Sequence, residues 1–150
     1  MPDPAPDPVA TGKLIFETLR LANALAAAGD ALMQPLGLTS ARWQVLGTLA
    51  FLGEGETVSG LARRLGLSRQ SVQRLVDEMV AAGILELRDN PAHKRARLAV
   101  VSAKGRELHR LAEARRQPWT EGLASALAGH DPAAAEAALR ALRETLTRTG

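Results

Sequence analysis

The sequence predicts a mainly α-helical protein that carries one small β-hairpin. Two observations support this reading. Aromatic residues make up only 3% of the 150 residues, so the core must be built from Leu, Val and Ala, and Leu and Ala favour helix. Apolar residues recur at helical spacing over most of the chain, whereas period-2 alternation occurs only in Leu85–Arg88 and Arg97–Val101.

Met1 to Ala10 holds Pro2, Pro4, Pro6 and Pro8 and is expected to be a disordered, extended tail. It has no basic stretch followed by an apolar run, so it does not read as a signal peptide. Leu14, Leu21, Leu25 and Leu32 mark a helix from Thr11 to about Gln34, interrupted at Gly29 and ended by Pro35 and Gly37. Thr39 is an N-cap for a second helix, Ser40 to Leu52, with Trp43, Leu46, Leu49 and Ala50 as its apolar stripe. A short helix, Ser59 to Leu65, is followed by the turn Gly66-Leu67-Ser68 and a longer helix, Arg69 to Ala82.

Leu85–Arg88 and Arg97–Val101 read as strands, Leu98 and Val100 sharing one face of the second. The polar loop Asp89 to Ala96 joins the two. Ser102 caps a long helix to about Leu127 that contains Pro118. Asp131-Pro132, a cap followed by Pro at the first helical position, opens the last helix.

The segment from Thr57 to Val101 carries the functional signal. A short helix, a three-residue turn, a second helix and a hairpin with a basic tip make the order of a winged helix-turn-helix. In that motif the second helix enters the DNA major groove. Val72, Leu75, Val76 and Met79 give this second helix a core stripe. Its other side presents Arg69, Gln70, Ser71, Gln73 and Arg74, the residue types that bond base edges and phosphates. Ser68 caps the helix and leaves its first N–H groups near the DNA backbone. The hairpin tip offers His93, Lys94, Arg95 and Arg97 to a narrow minor groove. From Ser59 to Arg97 there are eight basic residues against four acids, a local excess of four that exceeds the +3 of the whole chain. Basic charge is therefore concentrated where the pattern places DNA.

The run VSGLARRLGLSRQSVQRLVDEMVAAGILELRDNPAHKRARLAVVSAKGREL resembles the MarR family of transcription regulators from end to end, and LTSARWQVL before it is similar to the preceding helix of that family. The Asn90-Pro91 wing with its Lys94-Arg95 pair, followed by Ser102-Ala103-Lys104-Gly105, is the most specific piece. The resemblance implies a single domain over residues 11–150. Residues 38–102 would form the winged helix-turn-helix lobe, and residues 11–37 and 103–150 would supply helices that pair two copies into a triangular homodimer. A lobe of this size buries little surface by itself, which agrees with such pairing. The resemblance also places Ser68, Arg69, Gln70, Ser71, Gln73 and Arg74 in the recognition helix and Arg95 at the wing tip that enters the minor groove. One departure is His93, where many members carry an acid that orients the wing; this puts the wing's rigidity in question.

The implied function is a sequence-specific, DNA-binding repressor that acts on a pseudo-palindromic operator and responds to a small molecule. Its partners are double-stranded DNA and a second copy of itself, and its location is cytoplasmic, without membrane association. The effector suggested by the family is a small aromatic or phenolic compound, with Phe16, Arg20, Trp43, Leu46 and His109 as candidate lining residues. A second reading is a winged-helix module that binds a protein partner and little DNA.

The chain contains no cysteine, which excludes disulfides and thiol-based sensing. No nucleophile elbow or phosphate-binding glycine loop is present, and His93, His109 and His130 are too dispersed for a metal site. No enzyme activity, cofactor or metal is expected.

Overall fold

The structure is a computed structural model and describes residues 4–148. Its elements run α1 (Pro8–Met33), a 3₁₀ turn (Gln34–Leu36), α2 (Ser40–Leu52), α3 (Val58–Leu65), α4 (Arg69–Ala81), β1 (Leu85–Arg88), β2 (Leu98–Val101), α5 (Ala103–Ala124), a second 3₁₀ turn (Ser125–Leu127) and α6 (Pro132–Arg148). The mainly helical class with a single hairpin is as expected. The chain divides into two compact units, Met1–Arg115 and Arg116–Gly150, with the boundary inside α5.

The N-terminus departs from the expected tail. Residues 8–10 are already helical, because Asp7 accepts the Ala10 N–H at 3.3 Å and Pro8 occupies the first helical position, where a missing N–H costs nothing. Residues 4–7 lie outside the helix, and Met1 to Asp3 fall outside the described residues. Gly29 does not interrupt α1 either. It is buried, and a Cβ there would stand 2.8 Å from Ser40 Oγ, so glycine at this position lets α1 and α2 cross closely.

The first unit is organised around α2, which packs against α1, α3, α4 and β2. Partners on several sides explain why its apolar residues do not form the single expected stripe. Val45, Leu46 and Leu49 are buried, while Trp43 and Ala50 are half-buried. Leu61 of α3 and Val72, Leu75, Val76 and Met79 of α4 close the core beneath it. The α4 stripe is the one the periodicity predicts.

The hairpin pairs Leu85 with Val101 and Leu87 with Ala99. Cross-strand partners share a face, so Ala99 and Val101, with Leu85 and Leu87, turn toward the core. The expected pair, Leu98 and Val100, lies on the opposite face. That face is sheltered at Val100 by Gly55, where a Cβ would stand 2.6 Å from Val100 Cγ1. Glu56 adds a bridge to the other edge of β2 through Ala99.

A dense set of bonds joins the end of α4 to the start of α5. Ser102 Oγ accepts the Gly105 N–H at 2.9 Å. Its own O–H is shared between the carbonyl oxygens of Gly83 at 2.6 Å and Ile84 at 2.9 Å. Lys104 Nζ donates to the Ala82 carbonyl at 2.7 Å. Gly105 is buried, and a Cβ there would collide with the Ile84 carbonyl oxygen. The Ser-Ala-Lys-Gly run is thus the clasp that ties the end of α4 to α5.

In the second unit, Asp131 caps α6 through the Ala133 and Ala134 N–H groups at 3.0 and 3.2 Å. No described residue of α6 is buried, and Leu139 and Leu146 are exposed. No described helix is long and apolar enough to cross a membrane.

Candidate nucleic-acid interface

Helix α4 is rooted by its buried stripe, so its opposite side must face outward. Arg69, Gln70, Ser71, Gln73 and Arg74 are all exposed there. Arg69, Gln70, Gln73 and Arg74 line one shallow surface hollow together with Asp77 and Glu78. Ser68 is the N-cap: its Oγ accepts the Ser71 N–H at 3.1 Å and its O–H donates to Ser71 Oγ at 2.8 Å. These bonds fix the first turn and leave the guanidinium and amide groups of the next residues pointing away from the core.

Asp77 and Glu78, one turn further along the helix, take part in this surface. Gln73 Nε2 donates to Asp77 Oδ1 at 2.9 Å. Arg74 Nε lies 3.9 Å from Glu78 Oε1, and Arg42 of α2 reaches Glu78 Oε2 at 2.8 Å. The bond from Arg42, followed by the charge of Arg42 and of Arg74, holds the Glu78 carboxyl below the usual carboxylate range.

The helix before the turn is fixed at both ends. Thr57 caps α3 through the Gly60 N–H at 3.0 Å. The Glu56 carboxylate accepts from the Thr57 N–H at 2.8 Å and from Arg64 Nε at 3.1 Å. Burial pushes the Glu56 carboxyl up, but these bonds outweigh it and hold the group below its ordinary value. At the other end, the Gly66 and Leu67 N–H groups return to the Ala62 carbonyl, which sets the angle between α3 and α4.

The wing tip is shaped by two successive turns, closed by His93 N–H to Asn90 O and by Ala96 N–H to His93 O, both at 3.2 Å. Asn90 Oδ1 also accepts the Ala92 N–H at 3.0 Å. Asn90 and the backbone thus give order to a tip that lacks the usual acid at position 93. Lys94, Arg95 and Arg97 are exposed. Arg97 spends one N–H on the Leu87 carbonyl at 3.1 Å and staples the stem of the wing.

The five candidate effector residues are not gathered into one pocket. Phe16 and Arg20 line a shallow depression on α1 together with Lys13 and Glu17. Trp43 is half-buried against the core, and Leu46 is fully buried within it. His109 is half-buried on α5, with Nε2 4.0 Å from Glu113 Oε1. Nearby, Asp30 Oδ1 accepts the Ser40 N–H at 2.6 Å and Arg115 Nε donates to the Leu32 carbonyl at 2.7 Å. These two bonds join α1 to α2 and α5.

Sequence reasoning missed Arg42, Glu56 and Asp30. It named Asn90 as part of the wing motif but not its bond to the Ala92 N–H, a turn role that Asn-Pro favours. Asp30 and Arg42 act across 10 and 36 residues, a separation no local pattern reports. Among the described residues there is no group of three or more His, Cys, Asp or Glu placed to hold a metal ion.

Residues 36–96 match a family model described as MarR family. An uncharacterised protein of Mycobacterium tuberculosis, Rv2011c, is 36% identical over 136 residues, 91% of this chain and 89% of that protein. The transcriptional activatory protein BadR of Rhodopseudomonas palustris is 32% identical over 98 residues, 64% of this chain and 56% of its own. Among solved structures, the MarR family transcriptional regulator Sco5413 of Streptomyces coelicolor is 27% identical with a TM-score of 0.67, covering 95% of this chain and 96% of its own. The M. tuberculosis transcriptional regulator MosR in complex with DNA has the same fold, with a TM-score of 0.76 at 23% identity over 90% of this chain and 96% of that one. CouR of Rhodococcus jostii bound to p-coumaroyl-CoA has it too, at 0.66 and 24%, over 87% of each chain.

Proposed function

The chain belongs to the MarR family of transcriptional regulators, and on that premise we propose that it is a homodimeric, ligand-responsive repressor of a pseudo-palindromic operator. The observation that carries this reading is α4 itself. Its Val72, Leu75, Val76 and Met79 are buried while Arg69, Gln70, Ser71, Gln73 and Arg74 stand exposed on the opposite side. In this reading Arg69, Gln70, Ser71 and Gln73 meet base edges and Ser68 and Arg74 hold phosphate. Arg95 enters the minor groove, with Lys94 and Arg97 on the flanking backbone.

Dimerisation is supported by α1. Of its 26 residues only Gly29 and Met33 are buried, and Phe16 and Leu19 are 65% and 57% exposed. A long helix that is apolar on most sides requires a covering partner, and a second copy fits the family. A twofold dimer sets the recognition helices one turn of DNA apart, about 34 Å. The effector is an aromatic or phenolic compound, for which Phe16 and Arg20 on α1 and the half-buried Trp43 and His109 are the candidate contacts, whereas Leu46 is fully buried in the core. The p-coumaroyl-CoA held by CouR supports that chemistry. The ligand acts by favouring a spacing of the two lobes that no longer fits the operator.

Selection of bound duplexes from random DNA tests the reading. The selected sites should be inverted repeats. Gln70→Ala should change the preference at one or two base pairs, whereas Arg95→Ala should weaken binding across all selected sequences. An unchanged sequence profile for Gln70→Ala would overturn the base-contact assignment. A promoter reporter, with and without phenolic compounds, reads the sign of regulation and the response to ligand.

A further inference from the structure

We propose that Arg42 is a positioning residue for DNA binding: it occupies the Glu78 carboxylate and so leaves Arg74 available for a phosphate. The inference rests on the reading of α4 as the DNA-facing helix. Glu78 stands one turn after Arg74 and lines the same hollow as Arg69, Gln70 and Gln73. An unaccompanied carboxylate there would repel the DNA backbone and hold Arg74 to itself, since Glu and Arg four apart on a helix are neighbours.

Geometry decides which arginine Glu78 keeps. Arg42 NH2 lies 2.8 Å from Oε2, and its side chain is 29% exposed. Arg74 Nε lies 3.9 Å from Oε1, and its side chain is 77% exposed. The shorter, more sheltered contact is the stronger and the less screened by salt. The main chain at Arg42 is set by its N–H bond to the Thr39 cap of α2 at 3.2 Å, and the guanidinium itself is held by the bond to Glu78. Helix α2, at the centre of the lobe, therefore supplies a fixed cation beneath the recognition helix. Arg74, on the rim, is the arginine free to exchange Glu78 for DNA.

The experiment is fluorescence anisotropy with the full chain and a duplex selected from random DNA, over a series of salt concentrations. Arg42→Met should lower affinity about tenfold and reduce the log–log salt slope by about 1, the change expected when one phosphate is no longer neutralised. Glu78→Gln in that background should restore both. In an Arg74→Ala background, Arg42→Met should change nothing further. The Arg42→Met/Glu78→Gln variant carries no orphaned charge, so it reports on the proposal even where the single variant is poorly folded. A fall in affinity that Glu78→Gln does not rescue would mean that Arg42 touches DNA itself, and would overturn the proposal. So would an Arg42→Met variant that binds as the wild type does. If the wild type selects no sequence and shows no salt dependence, the DNA-binding reading falls first and this inference with it. Wild-type binding without rescue removes this inference alone.

Discussion

The winged lobe and the first helix use the same apolar residues to opposite ends. Leu46, Leu61 and Val72 are fully buried inside the lobe, whereas Phe16 and Leu19 of α1 are more than half exposed. The lobe closes its core with its own helices and hairpin together with Met33 from the end of α1 and Ala112 of α5. Helix α1 buries only Gly29 and Met33, both near its C-terminal end. Apolar content therefore does not say where a core ends; the packing does. What the lobe completes within one chain, α1 leaves open, and the proposed homodimer would cover it.

The largest expected effect follows from removing that partner. Phe16→Asp with Leu19→Asp should leave the lobe folded but convert a dimer to a monomer in sedimentation equilibrium. Operator affinity should fall by at least about a hundredfold, because a monomer neutralises only half as many phosphates. Retention of the dimer would mean that α1 is covered in another way.

The clasp at the base of the wing should be the most sensitive point of the lobe. Gly105→Ala forces a methyl group against the Ile84 carbonyl and strains the Ser102 bonds beside it. Overpacking of this kind should cost about 3 kcal/mol in urea unfolding. A change below about 0.5 kcal/mol would show that α5 can shift away from α4 freely.

The link between the two regions is weaker. Asp30→Ala removes the carboxylate that accepts the Ser40 N–H, and removing a cap costs about 1 kcal/mol. Thr39 still caps α2 through Arg42, so the destabilisation should not exceed that figure.

The smallest effect concerns Glu56, whose carboxyl is held below its ordinary value in the folded lobe. Its contribution is therefore complete above the unfolded-state value and is lost as pH falls through the folded one. The difference in urea midpoint between wild type and Glu56→Gln should be present at about pH 7 and shrink toward zero at about pH 3. A difference that stays constant with pH would mean that the carboxylate charge contributes nothing.

Much of this molecule is legible in its sequence, and the reasons are specific. The α4 stripe and the Asp131-Pro132 start of α6 follow from local periodicity and capping, which act over one or two turns. The same capping rule operates at Asp7-Pro8, but there a run of four prolines suggested an extended tail. The core face of β2 was hidden because register decides it: Leu85 pairs with Val101, and a four-residue strand of Leu, Ala and Val has no polar side to reveal its orientation. The exposed residues of the interface could be read from α4 alone. The bond that Arg42 makes from α2 could not, because only folding brings residues 42 and 78 together. The effector candidates were carried by resemblance, and within this chain they lie at separate places.

The most direct test is the anisotropy of a labelled duplex from the gene's own upstream region, titrated with the protein beside a scrambled duplex at several salt concentrations. A dimer that neutralises about 6–10 phosphates should prefer the native duplex and lose roughly 10³–10⁵ in affinity between about 50 and 200 mM salt. Equal, weak binding to both duplexes, unchanged by salt, would contradict the central claim that α4 and the wing form a DNA-reading surface.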